Sequence, residues 1–105
     1  MKKVYEKIME FRDKRNWKKN HDEKDLAISI SLEANESLEN FKWKSSEEAL
    51  ATSRQNIKEE MAEVGIYLIQ MADKMDMNLE KEIIRKLERN TKKYPVSQDR
   101  VVKIK

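Results

Sequence analysis

In 105 residues the chain has a single Gly and a single Pro. A β-rich fold needs such residues at its turns every few positions, so their scarcity points to a chain of helices. The apolar residues agree. Ile57, Met61, Val64, Leu68, Met71 and Met75 follow one another at alternating spacings of four and three, the seam of a helix packed in a bundle. The expected fold class is therefore all-α, a bundle of four to five helices.

The remaining helices read from the same periodicity. A first helix is expected over about 3–17, with Val4, Ile8 and Phe11 on one side. The polar stretch NWKKNHDEKD follows as a connector and holds Trp17 and the lone His21. A second helix is expected from Asp25 to Lys42, with Leu26, Ile30, Ala34, Leu38 and Phe41 as its stripe and Asp22 or Asp25 as its cap. Ser45 followed by Glu48 forms a capping box that opens a third element, which either runs on through Arg54 or breaks briefly before the long apolar helix. Asn78 caps a last helix carrying Leu79, Ile83 and Leu87. Pro95 ends the ordered domain, expected over 1–95, and leaves 96–105 as a tail. Gly65 inside a helix costs about 1 kcal/mol relative to Ala, and is best read as a place where a neighbouring helix or subunit passes close by.

Composition excludes several function classes. With no Cys there are no disulfides, thiolate metal sites or cysteine nucleophiles. No apolar run approaches the ~20 residues of a membrane span, and the basic start has no apolar stretch behind it, so a soluble cytoplasmic protein is expected. Charged residues make up 41% of a chain whose mean hydropathy is -0.96. Thin amphipathic cores of this kind often complete their burial by self-association, so a homo-oligomer, dimer or tetramer, is expected. The net charge is only +3, but basic residues gather at 12–24, 85–93 and 100–105. Those blocks suit either a solvated surface or an anionic partner.

Two pairs of acids stand against the apolar stripes. Glu33 and Glu36 in SLEANESLENF, and Glu60 and Glu63 in EEMAEVGIYLIQ, are each three residues apart and so share a helix face. Two such helices packed antiparallel would aim four carboxylates at one point, which is unfavourable unless cations neutralise them. Oxygen-only ligands select hard cations, Mg²⁺ or Mn²⁺. The bland alternative is that flanking Glu residues line a solvated helix edge. A di-iron bundle is excluded, because it needs E-x-x-H and His21 lies three residues after no Glu.

The order of these elements carries more than any one of them. Trp17 and His21 are followed by Glu33 and Glu36, by Trp43, by Glu60, Glu63 and Tyr67, and by Lys86, Asn90, Lys93, Tyr94 and Pro95. This set, spanning about residues 8–96, resembles the MazG-like nucleotide pyrophosphohydrolases, in particular their dCTP pyrophosphatase-like branch. The resemblance implies an all-α oligomeric enzyme. It would bind Mg²⁺ through Glu33, Glu36, Glu60 and Glu63 and hydrolyse (deoxy)nucleoside triphosphates to monophosphate and pyrophosphate. Two positions depart from the family pattern: Glu63 stands where Asp is usual, and Asn35 where Gly is usual.

The residue chemistry accommodates that activity. Triphosphate hydrolysis requires charge neutralisation and a positioned water. Lys86, Asn90 and Lys93 share one helix face able to hold phosphate oxygens. Trp17, His21, Trp43 and Tyr67 can stack on and hydrogen-bond a base, with a pyrimidine expected; Trp43 and Tyr67 are equally readable as core aromatics. The competing class is a non-enzymatic basic helical module that binds nucleic acid or a protein partner. Clustered carboxylates would repel a phosphate backbone, which makes nucleic acid the weaker reading.

Overall fold

Polar side chains set where three of the helices begin. Asp22 accepts from the Asp25 backbone N–H at 2.8 Å and Asp25 accepts in return from that of Asp22 at 3.3 Å, a reciprocal cap in which both candidate residues take part. Ser45 accepts from the Glu48 N–H at 3.1 Å, and Asn78 from that of Lys81 at 3.0 Å. The structure, a computed structural model, describes residues 1–96. It comprises α1 (Lys2–Lys14), α2 (Trp17–Asn20), α3 (Glu23–Glu39), α4 (Ser46–Lys74) and α5 (Leu79–Lys93). No strand occurs among the described residues, and no described helix is long and apolar enough to cross a membrane. The tail expected over 96–105 lies, apart from Val96, outside the described residues.

Two helices differ in their bounds from the expectation, α1 and α3, and α3 runs Glu23–Glu39 where Asp25 to Lys42 was expected. The first helix stops at Lys14 instead of 17, because Asn16 takes a left-handed conformation (φ 57°) that a short polar side chain tolerates. The connector after it is not featureless, since Trp17–Asn20 make one further helical turn. The third element and the long apolar helix are one α4, with non-helical angles only at Ser53. There the neighbouring Thr52 hydroxyl donates back to the Glu48 carbonyl at 2.9 Å, a bond that bends helices.

α3 and α4 fold back on each other as a hairpin closed by Asn56 donating to Asn40 at 2.7 Å, and this pair makes most of the tertiary contact. α1 packs on α4 and on α2. The core is thin, as the composition implies: Ile8, Leu26, Ala49, Ile57, Ile69 and Ala72 are its buried apolar residues. α5 buries none of its residues. Arg12, 4% exposed, pins α1 to α4 through Asp73 at 2.5 Å and also holds Asp13. Asp73→Ala leaves the Arg12 Nη1 donor without its acceptor, while Asp13 keeps the rest of the guanidinium. The substitution is expected to destabilise the fold by about 1–3 kcal/mol in chemical denaturation.

The apolar stripes required correction. Ile57 is buried and Val64 and Met71 half-buried, but Met61, 65% exposed, Leu68 and Met75 are left uncovered. On α3, Leu26 and Ile30 face inward whereas Ala34 and Leu38 are exposed. The inward line on α3 is Leu26, Ile30, Glu33 and Ser37, and on α4 it is Ile57, Glu60, Val64, Tyr67 and Met71. Glu33 and Glu60 are thus members of the packed stripes, not their neighbours.

Candidate active site

Because Glu33 and Glu60 both take inward positions on helices that pack against each other, their carboxylates meet. One oxygen from each of Glu33, Glu36 and Glu60 lies within 4.8 Å of the other two. Glu63 stands outside this trio but lines the same groove, a concavity of about 580 Å³ bounded by Glu33, Glu59, Glu60, Ala62, Glu63 and Tyr67.

The electrostatics are those of anions forced together. The Glu33 carboxyl is pushed up from its ordinary 4.5 to about 7, first by a hydrogen bond with Glu60, then by burial and by the charges of Glu36, Glu60 and Glu63. The Tyr67 hydroxyl is also raised, by burial and then by Glu63, Glu33 and Glu36. A proton on Glu33 therefore stabilises the metal-free fold. That contribution is complete below the ordinary carboxylate value and is lost as pH rises through about 7. In excess EDTA the melting temperature is expected to fall between pH 5 and 8, a slope that Glu33→Gln flattens; an unchanged slope in that variant contradicts the assignment.

A divalent cation fits this donor set. Glu60 Oε2 is buried and has no hydrogen-bond partner, a state that is costly for a carboxylate oxygen and that a cation would relieve. The ligands on offer are all oxygen, which suits hard metals.

The other expected residues do not gather here. Of the expected aromatic set, Tyr67 lines the carboxylate groove. Trp43 is not a core aromatic: it is 99% exposed in the turn between α3 and α4. Its φ of 61° is strained for a bulky side chain. The Trp17 and His21 rings lie tilted by 37° against each other with centres 5.4 Å apart, and the Phe11 ring meets Trp17 edge-on at 5.5 Å. Lys86, Asn90 and Lys93 ride on α5, with the Lys93 ammonium 5.4 Å above the Tyr94 ring. None of these lines the acidic groove.

Two residues escaped the sequence reading. Glu59 lines the groove, and its position four before Glu63 was the available signal. Arg15 lies 3.6 Å from the Phe11 ring centre beside Trp17, where an arginine among aromatics could have been noticed. A second concavity, of about 640 Å³, lies where the start of α1 meets the end of α4 and the start of α5, and holds none of the expected site residues.

Comparison with known proteins places the chain in a family. Residues 28–105 match the model of the MazG-like family. The chain is similar to rat dCTP pyrophosphatase 1, 31% identical over 96 residues that make up 87% of this chain and 56% of that protein. It is similar to the human dCTP pyrophosphatase 1 at 29% identity over 91 residues, 82% of this chain and 54% of that protein. The chain thus spans about half the length of the curated relatives it matches. A crystal structure of a pyrophosphatase from Archaeoglobus fulgidus superimposes with a TM-score of 0.85 at 41% identity, covering 91% of this chain and 93% of that one.

Proposed function

Since the chain belongs to the MazG-like family, we propose that it is a metal-dependent enzyme hydrolysing nucleoside triphosphates to the monophosphate and pyrophosphate. The observation that carries this reading is the convergence of Glu33, Glu36 and Glu60, with one Glu60 carboxylate oxygen buried and unpartnered. Glu33, Glu36 and Glu60, with Glu63 at the groove's edge, hold Mg²⁺, and Mn²⁺ can replace it. When bound, the cation neutralises charge on the phosphate oxygens and acidifies a water for attack.

The protein's own groups do the rest. The rigid α3–α4 hairpin fixes the carboxylate oxygens relative to each other, so little reorganisation is needed during reaction. Lys86, Asn90 and Lys93 offer donors to the phosphate chain, which leaves as pyrophosphate. The aromatic residues Trp17, His21 and Trp43 hold the base. A pyrimidine deoxynucleotide is the proposed substrate class, dCTP or a close relative, supported by the likeness to dCTP pyrophosphatases. A chain without cysteine, and with no membrane-crossing helix among its described residues, suits work on the cytoplasmic nucleotide pool.

Thermal unfolding with Mg²⁺ and a non-hydrolysable dCTP analogue tests this reading against the nucleic-acid one. A ligand present at about 100 times its Kd stabilises a fold by about 2.7 kcal/mol. A clear upward shift with both present, and little with either alone, is expected. Steeply salt-sensitive DNA binding without Mg²⁺, and no shift with the nucleotide, would instead favour the basic module.

A further inference from the structure

Among the described residues two buried side-chain oxygens have no hydrogen-bond partner, Glu60 Oε2 and Gln70 Oε1, and both belong to α4. The first sits with the carboxylates of Glu33 and Glu36, where a cation would relieve it. The second has no such explanation. Gln70 is 1% exposed, a depth it shares with the core residues Leu26 and Ala49. Burying an acceptor without a donor is costly, and an apolar side chain of the same shape would avoid the cost.

The phase of α4 says where this acceptor stands. Seven residues make two turns less about 20°, so Gln70 continues the line of Glu63, with Tyr67 between them. Glu63 and Tyr67 line the acidic groove, and Gln70 is the next residue on that face. Beyond it the helix is covered. Arg12 of α1 reaches Asp73, and the Lys74 ammonium donates to the Lys18 carbonyl of α2. Gln70 thus marks the inner end of the groove, where open surface gives way to packed protein.

We propose that Gln70 reads the edge of the base, its Oε1 accepting from the exocyclic amino group of a cytosine whose phosphates are held at Glu33, Glu36 and Glu60. The inference rests on the nucleotide-hydrolysing function proposed above. Gln70 lies about 15 Å along α4 from Glu60, a span that suits an extended nucleoside triphosphate. One molecule then accounts for both orphaned oxygens, with the cation at its phosphates beside Glu60 and its amino group at Gln70. No hydrogen bond holds Oε1 in place, so the amide turns toward the groove by a change of side-chain rotamer alone. The chemistry selects the base. Cytosine carries an amino donor where uracil carries a carbonyl acceptor, and that carbonyl would face Oε1 with both acceptors unpaired. A site built to bond a substrate donor rejects the analogue lacking it more strongly than an apolar pocket does. Aromatic stacking grips either base and gives no such preference.

Kinetics with dCTP and dUTP as competing substrates test the assignment. The wild-type protein is expected to favour dCTP in kcat/KM by roughly 5- to 150-fold, the range that one buried hydrogen bond left unmade gives. Gln70→Met keeps the length of the side chain and removes the amide. Its ratio is expected to fall to near one, chiefly through a higher KM for dCTP. Without nucleotide the same variant is expected to melt above the wild type, because it no longer buries an unpaired acceptor. Gln70→Leu gives the same comparison should the methionine variant not fold. A folded variant that keeps the wild-type ratio would overturn the inference and leave the proposed function standing, as would a wild-type protein that turns over both nucleotides equally. If Gln70 serves only the packing of α1 and α2 on α4, its replacement lowers the melting temperature and changes kcat/KM for both nucleotides by one factor. That pattern would overturn the inference too. Calorimetric titration with non-hydrolysable analogues of dCTP and dUTP in Mg²⁺ reads the same preference without turnover. Should the wild-type chain hydrolyse no triphosphate, the function falls, and equal binding of the two analogues would overturn the role of Gln70 separately.

Discussion

Glu60→Gln is expected to lower the turnover of triphosphates by about three orders of magnitude and to raise the melting temperature of the metal-free protein. Both effects have one cause. Glu60 takes an inward position on α4 where an apolar residue would otherwise stand, and its Oε2 is buried without a partner. A carboxylate kept there at a cost in folding is useful only if something neutralises it. Charge stabilisation by a bound metal is worth several kcal/mol in the transition state, and each 1.36 kcal/mol is a factor of ten in rate. The neutral amide removes that ligand. It also removes the anion that opposes ionisation of Glu33, so the metal-free fold gains what the enzyme loses. Steady-state kinetics, calorimetric Mg²⁺ titration and melting in EDTA measure the three consequences separately. Undiminished turnover in Glu60→Gln contradicts the metal assignment.

Trp43→Ala is expected to raise KM for the nucleotide by roughly 5- to 150-fold, the equivalent of about 1–3 kcal/mol of lost stacking on a base, with Mg²⁺ affinity unchanged. The side chain buries almost nothing in the single chain, so its removal has little packing to disturb. It is also held at φ 61°, in a region that costs an ordinary residue roughly 1–2 kcal/mol and glycine almost nothing. Trp43→Gly therefore separates the two roles, since it should raise stability while raising KM like the alanine variant. An unchanged KM in both folded proteins, or a clear preference for purines, would show that Trp43 does not read the base.

How far such a site can be read from sequence depends on what sets each position. The helices and their caps were legible because Asp22, Ser45 and Asn78 act on backbone groups within three residues. The acidic pairs were legible as pairs because helix geometry alone puts residues three apart on one face. Their depth was not. Ile57, Val64 and Met71 are common to two possible faces of α4, one completed by Met61 and Leu68 and the other by Glu60 and Tyr67. Apolar character selects the first for burial, yet the chain packs the second against α3 and leaves Met61 and Leu68 uncovered. Hydrophobic periodicity reports which residues are apolar; it does not report which partner covers them. Tyr67 shows the same limit, since its type marks it as an aromatic but only its helical phase against α3 puts it in the groove with Glu63. The short α2 was missed because a single helical turn has no period to detect, and the left-handed Asn16 before it separates it from α1.

If the carboxylates of α3 and α4 form a metal centre, as proposed, the protein splits a triphosphate into monophosphate and pyrophosphate. Phosphorus NMR of the products formed from dCTP by the wild-type protein tests it most directly. In Mg²⁺ the spectrum should show dCMP and pyrophosphate accumulating together, and excess EDTA should stop both. Release of dCDP with orthophosphate, or turnover that continues undiminished in EDTA, would contradict it.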